Sequence, residues 1–157
     1  MPTSHSLRSA RRALALLLML SLVPLGDAAG PDPLDLPGLR GKVVYVDFWA
    51  SWCAPCRQSF PWMDGLARDL GPRGLVVIAV NVDHQRADAD RFLSEFTPSF
   101  RVSFDPGGNL AQRFHVSALP MSFLIDREGH QVMEHAGFRA REEPDLQQRI
   151  TAALAQR

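Results

Sequence analysis

Residues 41–56 read Gly-Lys-Val-Val-Tyr-Val-Asp-Phe-Trp-Ala-Ser-Trp-Cys-Ala-Pro-Cys. From Val43 to Trp49 every residue is β-branched or aromatic except Asp47. A run that is apolar at both odd and even positions fits a strand buried on both faces, as in a parallel or mixed sheet. Shortly after it come Cys53 and Cys56, three positions apart, opening a helical pattern. A helix start carries free backbone N–H groups and the positive end of the helix dipole, which stabilise a thiolate. Cys53 is therefore expected to be the more exposed, reactive thiol. Cys56 should lie one turn in, more buried and close enough to close a disulfide. Pro55 is tolerated between them because the first turn needs no N–H. The chemistry that follows is exchange. The Cys53 thiolate attacks a substrate disulfide, and Cys56 then attacks Cys53 and releases reduced substrate.

Outward from this stretch the pattern continues. Residues 54–70 read as a helix, with Phe60, Met63, Leu66, Ala67 and Leu70 at spacings of three and four, and Gly71-Pro72 stopping it. Pro61 lies inside that pattern and should kink it. Leu75 to Val82 is a second buried strand, Ala87 to Phe96 a short helix, and Val102 to Phe104 a short strand. Asp105-Pro106-Gly107-Gly108 is a turn, after which Asn109 is expected to cap a helix over Leu110 to Phe114. Met121 to Ile125 and Gln131 to His135 form a hairpin around Arg127-Glu128-Gly129. Pro144 opens a last helix with Leu146, Ile150 and Leu154 on one face. This order argues for one α/β domain.

Ahead of it, Arg8, Arg11 and Arg12 precede an apolar run from Ala13 to Leu25 and then Gly26-Asp27-Ala28-Ala29. That is the charged, apolar, small-residue order of a secretory signal, and the run is shorter than a spanning helix needs. The expected organisation is a signal peptide over 1–28, a linker over 29–40 and one domain over 41–157, with an uncleaved membrane anchor as the other reading of the N-terminus. Export would place the chain in an oxidising compartment, the periplasm, where a cysteine pair does not stay idle. The chain of 157 residues has 46% apolar and 22% charged residues, so a disordered chain is excluded. The net charge is zero, and no basic excess points to nucleic acid. Two cysteines are too few for a disulfide framework. A structural zinc site needs four ligands, and His84, His115, His130 and His135 show no metal spacing, so neither a metal nor another cofactor is expected. An inert disulfide across so short a loop would stabilise little.

The segment from Gly41 to Cys56 resembles the thioredoxin superfamily, in particular its TlpA/ResA-like extracytoplasmic reductases. Ser117-Ala118-Leu119-Pro120-Met121-Ser122-Phe123-Leu124-Ile125-Asp126 is similar to the segment around that family's cis-proline. The stretch from Asp83 to Phe114 resembles the helix and strand that TlpA-like members insert. The resemblance spans about residues 38 to 155. It implies a thioredoxin fold, a central mixed sheet flanked by helices with that insertion. It implies a cis Pro120 facing the cysteines, with the backbone of Leu119 pairing with an incoming peptide. Asp47 lies in an apolar strand, where burial favours the neutral acid. The resemblance gives it a general acid/base role toward Cys56. Trp52 is expected to shield the disulfide and offer an apolar docking surface. The implied partners are protein thiols and disulfides, with a membrane thiol transporter as electron donor, and the expected state is a monomer.

Two residues depart from the family pattern. Ser59 stands where TlpA/ResA-like members commonly carry glutamate, and Asp47 where many carry asparagine, so a dedicated role in cytochrome c maturation is not implied. Three other functions remain to be weighed. A thiol peroxidase of the peroxiredoxin type would need Pro-x-x-x-Thr-x-x-Cys, and those places before Cys53 hold Val46 and Ala50. A copper-handling module could use both thiolates. An interaction module would use neither.

Overall fold

The computed structural model describes residues 33–156. The expected signal peptide over 1–28 and the first residues of the expected linker lie outside them. The elements run β1 (Val43–Trp49), α1 (Ala54–Leu70), β2 (Leu75–Asn81), α2 (Arg86–Glu95), β3 (Arg101–Phe104), α3 (Asn109–Arg113), β4 (Met121–Ile125), β5 (Gln131–Ala136) and α4 (Glu143–Ala155). The sheet order is β3-β2-β1-β4-β5. β1 pairs with β2 and β2 with β3 in parallel, while β4 runs antiparallel to both β1 and β5. β1 is thus the middle strand with helices on either side, which is why it could not afford an alternating polar face. All seven of its residues are buried.

The two faces of β1 enter separate apolar layers, as strand alternation requires. Val43, Tyr45 and Trp49 pack with Phe60, Met63 and Leu66 of α1, with Leu146 and Ile150 of α4, and with both cysteines. Val44, Val46 and Phe48 pack with Ile78, Val80, Leu110 and Phe123 on the other side. The helix of the inserted segment joins the first layer through aromatic rings. Trp49 lies 4.8 Å from Phe60 and 4.7 Å from Phe92 of α2, and Phe60 and Phe92 are 4.8 Å apart, centroid to centroid. Each such pair adds about 0.5–1.5 kcal/mol beyond area burial, so α2 is fastened to the strand that delivers the cysteines.

Two expectations change. The described part of the expected linker belongs to the packed domain: Leu34 is fully buried in the second layer, with Leu36 and Leu39 packed against it. Three leucines in a Pro- and Asp-rich stretch outweigh its loop-like composition. Asn109 does not cap α3; it is the first residue of that helix, after Gly108 in the left-handed region at φ 71°. The N–H of Ala111 donates instead to Asp105 Oδ2 at 2.8 Å. Gly108 turns the chain back so that the earlier acid reaches the helix start. α1 spans Ala54 to Leu70 with Pro61 inside it, over the range its apolar spacing predicts. Among the described residues no strand precedes β1, and no helix is long and apolar enough to cross a membrane.

Candidate active site

The parallel strands β1, β2 and β3 end side by side, with Trp49 opposite Asn81 and Asn81 opposite Phe104. Ligand and reaction sites of α/β sheets gather at such carboxyl ends. β4 begins at this same end, because Met121 pairs with Phe48. The register therefore brings Pro120, next before Met121, to the end of the sheet from which the cysteine loop leaves.

The cysteines sit where the strand hands over to the helix. Cys53 N–H donates to the Ala50 carbonyl at 3.1 Å, closing a turn. Cys53 has extended backbone angles and is the N-cap of α1, its Sγ accepting from the Cys56 N–H at 3.2 Å. That bond satisfies one of the orphan donors of the helix start and holds the sulfur against its positive end. Cys53 is disulfide-bonded to Cys56, with Cα atoms 5.3 Å apart. Cys53 is only 4% exposed and Cys56 not at all. The expected contrast in exposure between the two is therefore slight. The exposed group is Trp52, at 73%, standing beside a disulfide that is almost covered.

Asp47 lies on β1 between Tyr45 and Trp49, and so faces the layer that contains both cysteines. It is buried, and its Oδ1 accepts from the Ser122 hydroxyl at 2.7 Å. Ser122 is its direct cross-strand partner on β4. The second oxygen, Oδ2, is buried without a hydrogen-bond partner. Burial raises the Asp47 pKa to about 7, and the Ser122 hydrogen bond pulls against that rise. Two residues back on the same face, the Tyr45 hydroxyl is pushed up, first by burial and then by the charge of Asp47. An acid balanced near neutrality, with one oxygen free, can hold a proton or give it up at modest cost.

The Leu119–Pro120 peptide bond is cis. Pro120 is buried, and Leu119 packs against the layer containing the cysteines. The Pro120 carbonyl accepts from the Gly137 N–H at 2.7 Å, tying this segment to the end of β5.

Further residues hold the cysteine turn and escaped the reading of the sequence. Asp83, just past β2, accepts from the Ser51 N–H at 2.9 Å and the Ser51 hydroxyl at 3.1 Å. The Asn81 side-chain amide donates to the same carboxylate at 2.7 Å. Arg57, next after Cys56, pairs with Glu95 of α2 at 2.5 Å. The only signal in the sequence is that Asn81 and Asp83 close an apolar strand. Their partner in the turn follows from the parallel pairing of β1 and β2.

A family model described as Redoxin matches residues 20–150. The thiol-disulfide oxidoreductase ResA of Bacillus thuringiensis subsp. konkukian is 32% identical over 110 residues, covering 70% of this chain and 64% of the relative. This chain thus spans less than two thirds of the length of that relative. A solved structure from Chlorobium tepidum, provisionally described as a thiol:disulfide interchange protein DsbE, is 47% identical with a TM-score of 0.75. That match covers 76% of this chain and 85% of the other. The pneumococcal exposed lipoprotein thioredoxin of Streptococcus pneumoniae is 32% identical with a TM-score of 0.65, covering 74% of this chain and 89% of the other. The parallel-antiparallel sheet, the cysteine pair at the start of α1 and the cis proline at the same end of the sheet agree with these likenesses: the chain belongs to the Redoxin family, as a TlpA/ResA-like protein of the thioredoxin superfamily.

Proposed function

We propose that the chain is an exported thiol–disulfide oxidoreductase that reduces the disulfides of other proteins in the periplasm. The observation that carries this reading is the Cys53–Cys56 disulfide at the helix N-terminus, with a buried acid on the strand that leads to it. The names of the ResA and DsbE relatives and of the exposed pneumococcal lipoprotein support it. So does the signal-like order of residues 8–29.

The reaction starts from the reduced pair. The Cys53 thiolate, favoured by the helix start, attacks one sulfur of a substrate disulfide, and the other substrate sulfur leaves as a thiolate. Asp47 takes the proton from Cys56. The Cys56 thiolate attacks Cys53 Sγ, the mixed disulfide breaks, and the second substrate thiolate departs. The substrate has gained two electrons, and the pair has become the disulfide seen here. A dithiol donor of the membrane thiol-transporter class then returns two electrons, Asp47 gives its proton back to Cys56, Cys53 is again a thiolate, and the two protons the donor loses reach the two substrate thiolates through solvent. Trp52 and the Leu119 backbone are the substrate-docking groups in this scheme, and the protein acts as a monomer.

The test is turnover. With a dithiol reductant supplied, the protein should accelerate the reduction of insulin disulfides and leave the rate of hydrogen peroxide consumption unchanged. Peroxide consumption without insulin reduction would replace this reading with a thiol peroxidase.

A further inference from the structure

A buried carboxylate is tolerated only when donors surround it. Asp83 is 5% exposed and is met by three donors: the Ser51 N–H, the Ser51 hydroxyl and the Asn81 amide. Each can donate to an ionised carboxylate, and none requires it to carry a proton. The Asp83 N–H donates back to Asn81 Oδ1 at 3.1 Å, so the acid is fixed to the end of β2. Ser51 lies inside the turn closed by the Cys53 N–H on the Ala50 carbonyl. The acid therefore grips the turn two residues before Cys53.

The same segment reaches the far side of the motif. Glu95 pairs with Arg57, whose guanidinium lies 4.8 Å from the Phe92 ring centre and 5.4 Å from that of Phe96. The two grips differ in strength. The Arg57–Glu95 side chains are 45% and 55% exposed, and pairs of that kind contribute little. The Asp83 grip is buried and charge-assisted.

We propose that Asp83 is a positioning residue for the redox turn, holding Ser51 so that Cys53 stays within reach of Cys56 and the disulfide is favoured over the dithiol. Two effects have the same sign. Closing the disulfide is intramolecular, and its equilibrium depends on how well the two sulfurs are held together, so a released turn weakens it. The negative charge of Asp83, bonded to a residue near Cys53, also disfavours a thiolate there and hence the reduced pair. Both make the pair more reducing. A residue that only stabilises the fold supports both redox states equally and leaves the potential where it was. The proposal rests on the reading of Cys53 and Cys56 as an exchanging pair.

The experiment equilibrates the wild-type chain, Asp83→Ala, Asp83→Asn and Ser51→Ala with glutathione redox buffers. The oxidised fraction is read by thiol alkylation and mass spectrometry. Asp83→Ala is expected to lower the equilibrium constant for disulfide formation about tenfold, a potential about 30 mV less negative. Asp83→Asn and Ser51→Ala should shift it less, in the same direction. If Asp83→Ala does not fold, those two variants decide. Wild-type potentials in every folded variant overturn the proposal. The wild-type potential itself tests the direction of the reaction and the difference between variants tests Asp83, so either can fail alone.

Discussion

Cys53→Ser is expected to abolish disulfide reduction, by about a thousandfold or more, because a serine hydroxyl is not ionised near neutral pH and is a weak nucleophile toward sulfur. Cys56→Ser is expected to stop the reaction one step later. Cys53 can still attack, but nothing resolves the mixed disulfide, so a covalent adduct with substrate accumulates. It should appear by mass spectrometry as a species that dithiothreitol removes. Both cysteines are buried in the layer under α1, so circular dichroism of each variant checks that the fold survives. The contrast between the two variants is the informative part. A protein that only docks partners would show no trapped adduct and no loss in either, and wild-type turnover by Cys56→Ser would remove the resolving role from that residue.

Asp47→Asn is expected to stabilise the protein, by an amount that grows with pH. The Asp47 pKa rises from 3.8 unfolded to about 7 folded, chiefly through burial. Between those values the folded chain keeps a proton that the unfolded chain has lost, so stability falls as pH rises through that window. Above about pH 7 both states are ionised and the full cost stands, at most on the order of 4 kcal/mol. Asparagine keeps an acceptor for the Ser122 hydroxyl and carries no charge. Urea denaturation should show wild type and variant nearly alike at pH 4 and diverging by a few kcal/mol at pH 8. The variant should also resolve the mixed disulfide more slowly, since no group then takes the Cys56 proton. A pH-independent difference in stability would mean that Asp47 is not a buried titrating acid.

What was legible in the sequence and what was not divides along physical lines. The strand from Val43 to Trp49, the helix from Ala54 to Leu70 and the strand from Met121 to Ile125 were readable because apolar periodicity and local stop signals define them. So was the placement of two cysteines at a helix start, which is a local fact. Leu34 was hidden because a buried leucine in a loop has no period. The Asp105 contact was hidden because it depends on the left-handed turn at Gly108. The near-complete burial of Cys53 depends on how the turn folds back onto the sheet. The partners of Asp47 and Asp83 were out of reach for a different reason. Ser122 is 75 residues from Asp47, and Ser51 is 32 from Asp83. Both pairs arise from strand register, and a single sequence does not state which strands lie side by side.

The proposed role of the Cys53–Cys56 pair is to deliver electrons to protein disulfides. Its most direct test is the reduction potential of the wild-type pair. A value near about −270 mV, in the range of a thioredoxin-type reductant, is the predicted result. A value near about −120 mV would make the pair a strong oxidant and contradict that role.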